Sequence, residues 1–180
     1  MGTADVQVGP PSWDDFCSAS LAEEGRLRTV AGILAGRPEV AGMVTGHQGR
    51  TVRETVCHLA VYYPAQEVPG QVRKLLGLVE AGFTRRMPDL DLDVVNAERI
   101  AAFDGRTLGQ IFAVIHEGRS AIREQLTRLD PRILQRPVAG TRWGTVTAAL
   151  IIEESTFGHD RLHLDEIFQT VDEHAPREER

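Results

Sequence analysis

Residues 148–171 read AALIIEESTFGHDRLHLDEIFQTV, and this stretch decides the fold. It holds no proline, and Ile152, Ser155, His159, Leu162 and Ile167 recur at spacings that one face of a helix can carry. Thr145 or Thr147 is placed to cap that helix, which is expected to run to about Val171. If the stripe faces the core, His159 is buried, and a buried imidazole needs a partner. His163 follows four residues later. Side chains at i and i+4 share one helical face about 5–6 Å apart, so both imidazoles can reach one ion.

Working outward, the same period recurs and nothing reads as a strand. Gly140 and Gly144 mark a turn-rich stretch before the last helix. Thr107-Leu-Gly-Gln110 is a capping box that opens a helix to about Leu129, where Asp130-Pro131 ends it. Asp93 can cap a shorter helix through Ala102, and 82–92 reads as a loop. Thr51-Val-Arg-Glu54 is a second capping box, and its helix carries Val56, His58, Leu59, Val61 and Tyr62 until Pro64 kinks or stops it. Helical pattern resumes over 71–79. The first helix runs from about Ser12, with Asp14 and Asp15 at the positive end of its dipole, to Leu34. Phe16, Leu21, Leu27, Val30, Ile33 and Leu34 form its apolar face. The chain therefore reads as all-α: an antiparallel bundle over 12–171 with long connections, a flexible N-terminus over 1–11 and a polar tail over 172–180.

A chain of 180 residues suits one domain whose core needs no disulfide or structural metal merely to fold. The net charge of −6 argues against nucleic acid, which requires a concentrated basic face. The arginines are interleaved with acids and read as a solvated surface. No apolar run approaches a membrane span, and residues 1–11 have no signal-peptide pattern, so the expected location is the cytoplasm. Cys17 and Cys57 lack any CxxC spacing and read as reduced thiols.

A third ligand is available in His58, which sits mid-helix on an apolar face. Three neutral imidazoles leave positions open on a divalent ion, as catalytic rather than structural sites do. Spacing alone leaves another reading open, in which His58 is a satisfied core histidine and the other two lie at the surface. Tyr62 lies one turn beyond His58 and either lines the site as a proton donor or is a plain core aromatic. Glu166, one turn beyond His163, can orient that ligand or act as a base. Asp160 and Asp165 are expected in solvent, and Glu54 is accounted for by its capping box. Cys57 is rotated about 100° from His58 and is not read as a ligand. His47, His116 and His174 default to surface or loop roles.

Several stretches resemble the DinB-like superfamily, which includes the N-terminal domain of mycothiol-dependent maleylpyruvate isomerases and related thiol S-transferases. They are Thr51-Val-Arg-Glu-Thr-Val-Cys-His-Leu-Ala60, Asp93-Val-Val-Asn-Ala-Glu-Arg99, Trp143-Gly-Thr-Val-Thr147 and Gly158-His-Asp-Arg-Leu-His-Leu-Asp-Glu-Ile167. The resemblance implies a four-helix bundle with up-down-down-up topology, often dimeric. It further implies a divalent metal, zinc or nickel, on His58, His159 and His163. The implied activity is attack by a low-molecular-weight thiol such as mycothiol, or by water, on an electrophilic small molecule. A non-catalytic small-molecule binding or self-protection protein, and a degenerate dimerising bundle, are the alternatives.

Overall fold

The computed structural model describes residues 12–46, 49–63, 70, 72–73, 75–77, 92–141 and 144–174. The chain is mostly helical. Its elements are α1 (Trp13–Gly36), α2 (Val52–Ala60), α3 (Leu92–Ala101), α4 (Leu108–Thr127), strands β1 (Pro137–Thr141) and β2 (Gly144–Thr147), α5 (Ala148–Glu153) and α6 (His159–Glu173). A π turn, Glu154–Gly158, joins α5 to α6 without a break. Among the described residues, no helix is long and apolar enough to cross a membrane.

Helix starts follow the local chemistry closely. Thr51 Oγ1 accepts from the Glu54 amide at 3.2 Å, and Glu54 accepts from the Thr51 amide at 2.7 Å. Thr107 and Gln110 make the same exchange at 3.2 and 2.8 Å, satisfying amides that a helix N-terminus leaves over. Ser12 and Asp15 complete a third box, at 3.1 and 2.9 Å. Asp93 is different: α3 already includes Leu92, so Asp93 lies inside the first turn rather than capping it. The residues described at 72–77 are helical; the expected loop at 82–92 lies outside the described residues except at Leu92, which is already in α3. The tail expected from 172 begins within α6, which runs to Glu173, with 1–11 and 175–180 outside the described residues.

The turn-rich stretch before the last helix contains an antiparallel hairpin, which the sequence reading did not anticipate. Val138 pairs with Val146 and Pro137 with Thr147, with an irregular register toward Thr141 and Gly144. These strands are short, the first begins with proline and each carries one glycine, so they lack the apolar alternation by which strands are recognised. Gly144 holds a φ of 82°, a conformation that favours glycine.

Helices α4 and α6 each pack against both α1 and α2, and α2 also meets α3. The core contains Val30, Leu59, Ile111, Ile115, Phe157 and Ile167, all nearly or fully buried. In α1 the buried stripe is Phe16, Ser20, Glu23, Leu27, Val30 and Leu34, whereas Leu21 is exposed and Ile33 only half-buried. The polar members of that stripe are matched from the facing helices. Arg119 and Arg123 of α4 and Arg161 of α6 reach Ser20, Glu23 and Glu24. Arg119 is 0% exposed, so the reading of the arginines as uniformly solvated fails at this position.

Candidate metal centre

The π turn sets which face of the last helix looks inward. A π turn carries one more residue than the α period accommodates, so it advances the phase of everything after it. Ile152 is buried, and the next buried position is Phe157, five residues on; Asp160, Leu164, Ile167 and Val171 then follow at alternating steps of three and four. The stripe expected from an unbroken helix is corrected accordingly. Ser155 and Leu162 are exposed, and His159 stands at the edge of the core with 29% of its side chain accessible. His163 is buried.

That placement brings the three histidines together. His159 Nε2 lies 3.1 Å from His58 Nε2 and 3.2 Å from His163 Nε2. His58, supplied by α2, is buried. Two nitrogens bound about 2.1 Å from one ion at a tetrahedral angle stand about 3.4 Å apart, close to the observed separations. Proton sharing accounts for this arrangement less well. A neutral ring nitrogen carries either one proton or one lone pair, so His159 Nε2 cannot make a full hydrogen bond to both neighbours at once. A cation takes all three lone pairs. Among the described residues, His58, His159 and His163 form a group able to hold a metal ion.

The surroundings hold the His163 ring in the tautomer that ligation needs. His163 Nδ1 stands 2.9 Å from Glu166 Oε2. With its proton on Nδ1 and donated to that carboxylate, His163 presents a lone pair at Nε2, the familiar carboxylate–histidine–metal relay. Burial holds the His163 pKa below the ordinary histidine value, against the opposing pull of Glu166. Burial favours the neutral ring, and the hydrogen bond to Glu166 orients it. Glu166 thus meets His163 at the nitrogen turned away from the other two imidazoles, which suits orientation better than a role as base on a reacting group.

Tyr62 and Tyr63 diverge where α2 ends. The last turn tightens, with Tyr62 N donating to Leu59 O at 3.2 Å and Tyr63 N to Ala60 O at 3.0 Å. Tyr62 is left 38% exposed beside the site, its ring centroid 4.6 Å from that of His159 and 5.5 Å from that of His58. Tyr63 turns inward and is buried. The core aromatic with a bonded hydroxyl is therefore Tyr63, not Tyr62. Its hydroxyl donates toward Asp160 Oδ2 at 2.5 Å and also lies 2.8 Å from Thr156 O. Burial first, and then the Asp160 charge, push the Tyr63 pKa well above that of an ordinary tyrosine.

Asp160 is the clearest departure from the sequence expectation. It is 1% exposed and paired with Arg119, which also donates to Ser20 O at 2.9 Å. On an unbroken helix its position reads as outward; the phase advance at the π turn brings it in. Asp165 does face solvent, where it pairs with Arg26. His116 also has a partner, Glu24, at 2.6 Å. His174 is exposed, with its Nδ1 bonded to Thr170 O at 2.8 Å, and His47 lies outside the described residues. Cys57 is buried and does not belong to the three-histidine group, and burial raises its thiol pKa, which favours the unreactive protonated form. Comparison with family models, with curated proteins and with solved structures returned no match.

Proposed function

We propose that this protein is a divalent-metal enzyme built on an up-down-down-up four-helix bundle of the DinB-like type, with His58, His159 and His163 as its protein ligands. The observation that carries the reading is the convergence of three Nε2 atoms, with separations of 3.1 and 3.2 Å about His159. An ion with three protein ligands keeps positions for a small molecule. Zinc and nickel both suit an all-imidazole set. Bound there, the ion supplies a Lewis acid that lowers the pKa of a coordinated thiol or water and so provides a nucleophile at neutral pH.

The chain's own residues divide the remaining work. Glu166 keeps the His163 proton on Nδ1. Tyr62, half out of the protein beside His159, offers a phenol at the mouth of the site and is the candidate proton donor to a leaving group. The buried faces of His58 and His163 exclude water from one side, so a substrate enters past Tyr62 and His159. A low-molecular-weight thiol, mycothiol or a relative, attacking an electrophilic small molecule is the reaction class that the sequence resemblance favours, in a cytoplasmic homodimer. The zinc- or nickel-loaded protein is expected to accelerate consumption of such a thiol by a generic electrophile. Equal rates for the parent and the His163→Ala variant refute the enzymatic reading.

A further inference from the structure

Asp160 directly follows His159, and its two oxygens are unequally used. Oδ2 accepts from Arg119 and from the Tyr63 hydroxyl. Oδ1 is buried and takes a hydrogen bond from no described residue, an expensive state for a carboxylate oxygen. His159 Nδ1 stands 4.0 Å from it, beyond hydrogen-bond reach.

The two atoms have complementary needs. His159 directs Nε2 at the other two imidazoles. A neutral ring that offers its lone pair there must carry its proton on Nδ1. That proton requires an acceptor, as the proton of His163 has in Glu166. We infer that Asp160 is the positioning residue of His159: when an ion is held, His159 Nδ1–H donates to Asp160 Oδ1. Closing the gap takes about 1 Å of movement to reach ordinary N–H···O geometry. His159 has room to turn, because it is the most exposed of the three ligands. The same carboxylate ties the ligand to Arg119 of α4, through it to Ser20 of α1, and to Tyr63 at the end of α2. Capture of an ion is thereby linked to the packing of the helices that meet at Asp160. The inference rests on the metal reading above; the competing acceptor for the His159 proton is solvent.

The test uses the full chain loaded with zinc and labelled with nitrogen-15 at histidine. The expected result is a His159 ring that ligates through Nε2, with an Nδ1 proton slow enough in exchange with water to be observed. Zinc affinity is then compared in two double variants that both remove the buried charges, Arg119→Met/Asp160→Leu and Arg119→Met/Asp160→Asn. The leucine pair is expected to bind zinc about 10–100-fold more weakly than the parent, the usual effect of losing an outer partner. The asparagine pair keeps an acceptor oxygen and is expected to recover part of that loss. If the leucine pair does not fold, the proton measurement on the parent decides alone. An Nδ1 proton that exchanges as freely as that of an exposed imidazole, or equal affinities in both pairs and the parent, overturns the role of Asp160 and leaves the three-histidine site standing. A parent that takes up no zinc overturns both.

Discussion

Replacing Gly118 with alanine tests how tightly the end of α2 is locked against α4. A Cβ built at Gly118 lies 2.1 Å from the Tyr63 carbonyl oxygen, 2.5 Å from Tyr63 Cβ and 2.8 Å from the Tyr63 carbonyl carbon. Relief of the closest contact requires a retreat of about 1 Å, taking ordinary van der Waals separations as the target. Tyr63 has little room to give. Its side chain is buried, and its hydroxyl is held by Asp160 at 2.5 Å and Thr156 at 2.8 Å. Alanine gains about 1 kcal/mol of helix propensity over glycine. Against that stand about 1–3 kcal/mol for overpacking and about 1.5–3 kcal/mol if the hydrogen bond to the charged carboxylate is lost. With that bond lost the net is a destabilisation of roughly 1.5–5 kcal/mol, a large part of the whole for a domain whose stability is of order 5–15 kcal/mol. Urea titration followed by circular dichroism measures it, with Gly25→Ala in α1 as the control. An added Cβ at Gly25 meets nothing within 4 Å, so that variant is expected to be neutral or up to about 1 kcal/mol more stable. A Gly118→Ala protein as stable as the parent refutes the lock.

Other outcomes follow from the same geometry. Glu166→Gln keeps a polar group beside His163 Nδ1 but removes the charge, and zinc affinity measured against a chromophoric chelator is expected to fall about 10–100-fold; an unchanged affinity removes Glu166 from the site. In chelator-treated protein, urea stability is expected to decline as the pH drops below the ordinary histidine value of 6.5. His163 has its pKa lowered by folding, so the unfolded chain binds the proton more readily; the contribution is present above that pH and is lost as the pH falls toward the folded value. Stability that stays level from pH 7.5 to 5 contradicts this sign.

The sequence made the helix starts readable because each capping box is a local contract between residues three apart. Thr51 with Glu54 and Thr107 with Gln110 hold as expected. His159 and His163 were legible as a pair because i,i+4 spacing survives whatever precedes it, and His58 because it sits mid-helix on an apolar face. What lay beyond reach was the phase of the last helix. Nothing in Glu-Ser-Thr-Phe-Gly announces a π turn, and without it Ser155 and Leu162 read as core and Asp160 as surface. The buried polar layer was hidden for a related reason. Ser20, Glu23 and Glu24 on α1 become core residues only when Arg119, Arg123 and Arg161 face them, and those arginines are about a hundred or more positions away in sequence. The hairpin escaped notice because its short strands carry almost no pattern.

Metal content bears most directly on the central claim. The protein is dialysed against zinc and, separately, nickel, freed of excess ion, and analysed by atomic emission beside His58→Ala, His159→Ala and His163→Ala variants of verified fold. About one ion per chain is expected in the parent, with a marked loss in each variant. A folded parent that retains no ion, or variants that retain as much as the parent, contradicts that claim.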